Sequence, residues 1–370
     1  MEGAEKKEIK TTPLFRTQKE AGACFSEFFG WLMAESFGDP EVEQRAVRAS
    51  GGALDLTFCG AIRIGGGEGG KFLQGLITND VKSLVAGAGM RAAFLTGKGK
   101  VMGLCRVFGL GDGEFLLITE PQTHDKIYSY IFPMTYAGDF KVEDTSDRYR
   151  VLSIQGPKSL LAMKECCFEP VPNLPEHHWI STIVAGHQVL VVRSSRCGDD
   201  GYDILVPASG LNDVWDFLLL KGSFHGITAV GQIALDALRL EAGIPVYGTD
   251  FDDTNMMLET GLADAVSFTK GCYTGQEAVA MATYRGHVSK RLSGLEVSGT
   301  AVPVRGDLIT KDEKEIGVVT SVLKSQTLDK IIALALVKYG FFGPGTTVQV
   351  ESKDQSHQAI VVELPFFRRN

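Results

Sequence analysis

Lys270-Gly271-Cys272-Tyr273-Thr274-Gly275-Gln276-Glu277 is the stretch on which the reading of this 370-residue chain turns. Thr274 and Glu277 have the Thr-x-x-Glu spacing of a capping box, in which two side chains satisfy the free amides of a first helical turn. The spacing predicts a helix from about Gly275 into the Ala-rich run that follows. Cys272 then lies two residues before the N-cap. Unpaired amides and the positive end of the helix dipole favour a thiolate there, and Lys270 adds a cation, so Cys272 and Lys270 are the candidate reactive pair. Among seven cysteines only this one has such a setting. The same octapeptide also reads as a tight turn, with Gly271 and Gly275 at positive φ around a small buried cysteine.

Upstream, Thr228 to Ala242 has helical spacing and is stopped by Gly243 and Pro245, after a further helix at about Leu211 to Leu220. Between Ile62 and Val206 short β-rich runs (Ile62 to Ile64, Cys105 to Phe108, Phe115 to Thr119, Val151 to Ile154, Gln188 to Arg193, Tyr202 to Val206) alternate with helical stretches at Gly70 to Leu76, His124 to Phe132 and Lys158 to Glu165. The organisation is α+β. Residues 17–50, spaced around Phe25, Phe28, Phe29, Trp31 and Leu32, read as a helical arm. After Arg291, strands and turns punctuated by Pro303, Gly306, Gly317, Gly340, Pro344 and Gly345 predict a small β-barrel and a boundary near residue 290. The Gly65 to Gly70 run (GGGEGG) lacks the Gly-Lys-Ser/Thr ending of a phosphate loop and reads as a hairpin turn.

Composition narrows the function. The formal charge of −8 lacks the electrostatic footprint of a nucleic-acid binder. No apolar run approaches the roughly 20 residues of a membrane-spanning helix. The opening MEGAEKKEIK has neither a secretory core nor the make-up of a transit peptide, so the expected location is the cytoplasm, or an organelle matrix if a presequence was removed. The odd, scattered cysteine count fits reduced thiols. Cys166-Cys167 and His177-His178 lack the ligand spacing of a structural zinc site, and no metal is expected there.

KGCYTGQE resembles the signature of YgfZ-type proteins, folate-binding members of the aminomethyltransferase (glycine cleavage T-protein) superfamily that assist iron–sulfur cluster assembly or repair. Phe72-Leu73-Gln74-Gly75 through Thr78-Asn79-Asp80-Val81 is similar to the superfamily's FLQ-x-x-x-TNDV segment, and Gly97-Lys98-Gly99-Lys100 to its turn before a strand. Gly231 through Asp236-Ala237-Leu238-Arg239-Leu240-Glu241-Ala242-Gly243, with Pro245 and Gly248-Thr249-Asp250, is similar to its LRLEAG-x-P-x-x-G-x-D element. These cover most of residues 50–295. The resemblance implies a folate-binding core of two α/β subdomains over 51–290, between an N-terminal arm (1–50) and the C-terminal β-barrel (291–370).

Two departures bear on chemistry. The turn from Gly97 to Lys100 leads, in the aminomethyltransferases, to an Asp-Asp pair; the matching positions here are Gly103 and Leu104, which offer no carboxylate. An arginine that those enzymes carry before LRLEAG falls on Leu235. The cysteine of KGCYTGQE is, conversely, not typical of the transferases.

The resemblance also implies ligand contacts. Arg193 to Asp203 (RSSRCGDDGYD) is similar to the TGE-x-G-x-E turn, with Asp199 and Asp203 in the places of two glutamates. A carboxylate matches the amide-like edge of a pterin, and Asp203 is the preferred contact, although one methylene shorter; Asp199 also reads as part of a solvated turn. Tyr273, Gln276, Glu277, Arg239 and Arg285 complete the implied folate set. Arg239 also reads as the partner of Asp236 in a helical ion pair, Glu241 likewise as a structural ion-pair residue, and Arg285, with Gly286 and Arg291, as part of a hinge.

The function expected on this basis is a tetrahydrofolate-binding accessory factor of iron–sulfur cluster assembly or repair that meets its client proteins transiently through Cys272. One alternative is a folate-dependent aminomethyltransferase or demethylase. Another is a non-catalytic interaction module.

Overall fold

The computed structural model describes residues 9–353 and 355–369. The strand-forming runs of the first 290 residues gather into two main sheets. The five-stranded sheet has the order Gly89–Leu95, Val101–Gly111, Glu114–Thr119, Gly60–Gly65, Lys141–Asp144. The six-stranded sheet runs Trp179–Val184, His187–Arg193, Gly201–Pro207, Tyr149–Gln155, Gly51–Asp55, Ile227–Val230. The sheets face one another across a shared core that includes Leu54, Leu56, Phe58, Phe108, Leu116, Ile118, Val192 and Leu205. The strand Val101–Gly111 sorts its residues by side: Cys105 and Val107 enter the core beneath the five-stranded sheet, whereas Leu104, Arg106 and Phe108 face the other way.

Helices Gly69–Gln74, His124–Ile131, Ser159–Cys166 and Leu211–Gly222 stand close to where the spacing of apolar residues puts them. Three expectations are corrected. Residues 17–50 are no helical arm: Cys24–Phe28 and Trp31–Ser36 form an antiparallel hairpin, turned by Phe29 and Gly30 at positive φ. Only Pro40–Ala49 in that region is a full-length helix, N-capped by Asp39. Thr228 does not begin a helix either. Ile227–Val230 pairs in parallel with Gly51–Asp55, and the helix starts beyond Gly231, at Gln232–Glu241. A Cβ on Gly231 would stand 2.1 Å from the Glu35 carbonyl oxygen, so only glycine fits that crossing. The GGGEGG run joins a strand to the helix Gly69–Gln74 and is no hairpin turn.

The last segment closes as a six-stranded barrel, Lys290–Val297, Lys330–Lys338, Lys314–Ser325, Leu308–Lys311, Thr347–Glu351, Ser356–Val362, around Leu295, Ile309, Ile331 and Val361. Closure leaves no open sheet edge. Buried charges fasten the barrel to the core. Arg239 Nη1 lies 2.6 Å from Asp250, whose other oxygen accepts from Thr320 and Ser321 of the barrel. No helix among the described residues is long and apolar enough to cross a membrane.

Candidate functional site

Between the two sheets, roofed by the helix Gln232–Glu241 and the loop Ile244–Thr249, lies a cavity of about 370 Å³. Its walls are largely apolar: Phe28 and Phe29 from the hairpin, Leu56 and Phe58, Leu235, and Val246 with Tyr247. Polar groups enter it from several elements, with Gln232, Asp236 and Arg239 on the helix Gln232–Glu241. Arg106 comes from the five-stranded sheet, Glu120 from just beyond the neighbouring strand, and Arg196 from the loop between two strands of the six-stranded sheet. A small extension of about 40 Å³ past Arg106 and Glu120 reaches Arg91 and Leu262.

Arg196 donates from Nε to both oxygens of Asp203, at 2.9 and 3.2 Å, and from Nη2 at 2.8 Å, while Ser153 Oγ donates to Asp203 Oδ1. Burial raises the Asp203 pKa, but the charge and hydrogen bonds of Arg196 outweigh it and hold the carboxyl below its ordinary value. Arg106 Nη1 is 3.3 Å from Glu120, and Arg106 Nε has no acceptor among the described residues. His177, close enough to feel the charges of Arg106 and Arg91, is pushed down to about 3 by burial first and by those two cations second.

Of the residues singled out from sequence, Arg239 lines the cavity. It is also committed to Asp236 at 2.7 Å and to Asp250, and Glu241 to Arg48 at 2.6 Å, so both are the ion-pair residues they were read as, but buried rather than on the surface. Asp203 lies behind Arg196. Asp199 is not in a solvated turn: its side chain is fully buried, held by Arg48 Nη1 at 2.6 Å and by Arg369.

The Cys272 segment forms elsewhere. Cys272 is exposed, so the buried-cysteine reading does not hold, and the capping box is absent. The helix is Gln276–Arg285, with Gly275 at the N-cap in the left-handed region (φ 84°) and no side-chain cap. Thr274 makes its hydroxyl contact with the Gly75 carbonyl instead, which removes it from the first turn. Lys270 Nζ donates to the carbonyls of Gln74, Ile77 and Asn79 at 2.8, 2.7 and 2.7 Å, so its three protons are taken up and none is left for the Cys272 sulfur. Burial lowers its pKa to about 8. Tyr273 packs into the apolar cluster that holds Leu104 and Tyr247, Gln276 reaches the Lys270 carbonyl at 3.4 Å, and Glu277 lies exposed in the first helical turn. Arg285 ends the helix; its side chain lies outside the described residues. Cys24 is a second exposed cysteine that the packing reading missed.

The two positions lacking a carboxylate differ in what they face. A Cβ on Gly103 would stand 2.7 Å from the Thr123 side chain, so this position turns to the helix His124–Ile131 and has no room for a side chain. Leu104 lines the cavity. Leu235 lines it too. Arg106, Arg196 and Glu120 were not recognised from sequence. The one signal was a charge inside an otherwise apolar strand, VMGLCRVFG.

The sequence model for the GCVT N-terminal domain matches residues 14–270, and that for the glycine cleavage T-protein C-terminal barrel domain matches 290–368. Similar proteins named aminomethyltransferase include those of Moorella thermoacetica, 32% identical over 364 residues (98% of this chain, 99% of that protein), and Caldanaerobacter subterraneus, 30% identical over 365 residues (98% and 97%). The crystal structure of the glycine cleavage system aminomethyltransferase T from Bartonella henselae shares the fold, with a TM-score of 0.89 at 23% identity, covering 97% of this chain and 98% of that one. Matched along nearly its whole described length, the chain belongs to the glycine cleavage T-protein (aminomethyltransferase) family.

Proposed function

We propose that this protein binds a tetrahydrofolate derivative in the cavity between its two sheets. The observation that carries the reading is the cavity's lining: apolar and aromatic walls suited to the faces of a planar ring system, together with a charged cluster of Arg106, Glu120, Arg196 and, behind it, Asp203. Asp203 is saturated by Arg196, so a pterin edge meets either Arg196 itself or Asp203 after Arg196 has turned away. Tetrahydrofolate would supply a carrier for one-carbon units.

For the activity, the comparisons favour aminomethyl transfer, the name borne by relatives at about 30% identity over nearly the full chain. That activity would run here without a carboxylate at Gly103 or Leu104. Glu120, lining the cavity beside Leu104, is the nearest carboxylate by strand position. The second reading, an accessory factor of iron–sulfur cluster assembly or repair of the YgfZ type, is supported by Leu104 on the cavity wall and by the exposed Cys272. Steady-state turnover of an aminomethyl donor with tetrahydrofolate separates the two. Product formation abolished by Glu120→Gln supports transfer. No turnover, together with rescue of an iron–sulfur enzyme in a strain lacking its own factor by wild type but not by Cys272→Ala, supports the accessory role; equal rescue by both removes Cys272 from it.

A further inference from the structure

The strand Val101–Gly111 presents Leu104 and then Arg106 to the cavity, so the first polar side chain along this face is a guanidinium. Arg106 is 8% exposed and its Nε–H has no acceptor among the described residues, while Nη1 reaches Glu120 only at 3.3 Å. A buried donor without a partner is costly, and that of a cation more so. Arg196 adds repulsion, and its own hydrogen bonds go to Asp203, while Arg239, the third guanidinium of the cavity, is paired with Asp236 and Asp250. The cavity thus holds an incompletely paired cation where a cationic ligand group, or one without acceptors, would bring no relief. A group rich in acceptors would complete the hydrogen bonding of Arg106 without displacing Glu120.

We propose that Arg106 is a ligand-binding residue, and that the part of the bound ligand lying against the strand Val101–Gly111 is an acceptor group of carbonyl or carboxylate type, received by the Arg106 guanidinium where it lines the cavity. This rests on the reading of the cavity as a folate site, and deepens it by giving the polarity of the ligand edge. Two sources share that chemistry: the carbonyl edge of the pterin, or a separate small carboxylate bound beside the folate.

The test is titration calorimetry of tetrahydrofolate on wild type, Arg106→Met and Arg106→Lys, with thermal unfolding of each in sodium formate against sodium chloride at equal ionic strength. Arg106→Met keeps most of the packing volume, and Arg106→Lys keeps the charge but loses the planar guanidinium donors, so it serves if the first variant does not fold. A roughly 10- to 100-fold weaker tetrahydrofolate Kd in the variants assigns the acceptor to the pterin. Unchanged folate binding with loss of a formate-specific rise in Tm assigns it to a separate carboxylate. Variants that match wild type in both measurements overturn the proposal. Wild type that binds no tetrahydrofolate overturns the folate reading instead, and the formate comparison then decides on Arg106 by itself.

Discussion

Arg196 and Asp203 share three close N–H···O contacts, at 2.8 to 3.2 Å, on the cavity side of the six-stranded sheet, with side-chain exposures of 10% and 3%. Removing one partner strands the other charge nine-tenths or more buried. Asp203→Asn is expected to cost roughly 3–5 kcal/mol in urea unfolding, whereas the double replacement Arg196→Met/Asp203→Leu costs far less, because no buried charge remains. A double-mutant cycle checks this, and equal losses in the two variants would contradict it.

Arg48 also holds the loop that carries Arg196. It bridges Asp199 at 2.6 Å and Glu241 at 2.6 Å, both fully buried, and donates to the Cys197 carbonyl at 2.8 Å. Arg48→Met is expected to lose roughly 3–5 kcal/mol. Arg369, which also meets Asp199, is 41% exposed, so Arg369→Ala is expected to cost only about 1 kcal/mol or less. Chemical denaturation ranks the two; the reverse order would be inconsistent with the exposures.

His177 supplies the pH dependence. Its folded pKa, about 3, lies below the ordinary value of 6.5, so between those limits the unfolded chain binds more protons. Its stabilising effect is therefore full above pH 6.5 and is lost progressively as pH falls toward 3, with a limiting slope of about 1.4 kcal/mol per pH unit. His177 has φ 63°, which asparagine tolerates, so His177→Asn is the suitable comparison. Unfolding free energies at pH 4, 5, 6 and 7 should show a shallower acid decline in the variant; parallel curves would exclude His177 as the cause.

Leu104→Asp places a carboxylate on the cavity wall, beside the guanidinium of Arg106. If the scaffold is otherwise able to transfer aminomethyl groups, turnover with tetrahydrofolate should rise above wild type; the effect of one well-placed acid is about 100-fold or more. Unchanged turnover with tetrahydrofolate still bound would contradict position 104 as the place where an acid is missing.

Much of the fold was legible because period-2 and period-3.6 patterns are local: the strands around Cys105, Leu117, Ile154 and Tyr202 and the helix at Ser159–Cys166 follow from spacing alone. The hairpin Cys24–Ser36 was not, since Phe25, Phe28, Phe29 and Leu32 satisfy helical spacing while their aromatic content equally suits strands. The capping box failed through a tertiary contact, Thr274 to the Gly75 carbonyl, that no local pattern encodes. Arg106, Glu120 and Arg196 meet only because two sheets bring them together from three different segments, so no spacing along the chain announces them.

Titration of tetrahydrofolate into wild type and Leu235→Trp tests the central claim most directly. Leu235 lines the cavity from the helix Gln232–Glu241, and an indole there fills the space a planar ligand needs. Saturable 1:1 binding to wild type, lost in Leu235→Trp at an unchanged circular dichroism spectrum, is the predicted result; wild type that binds no folate, or a variant that binds it equally well, would contradict the account.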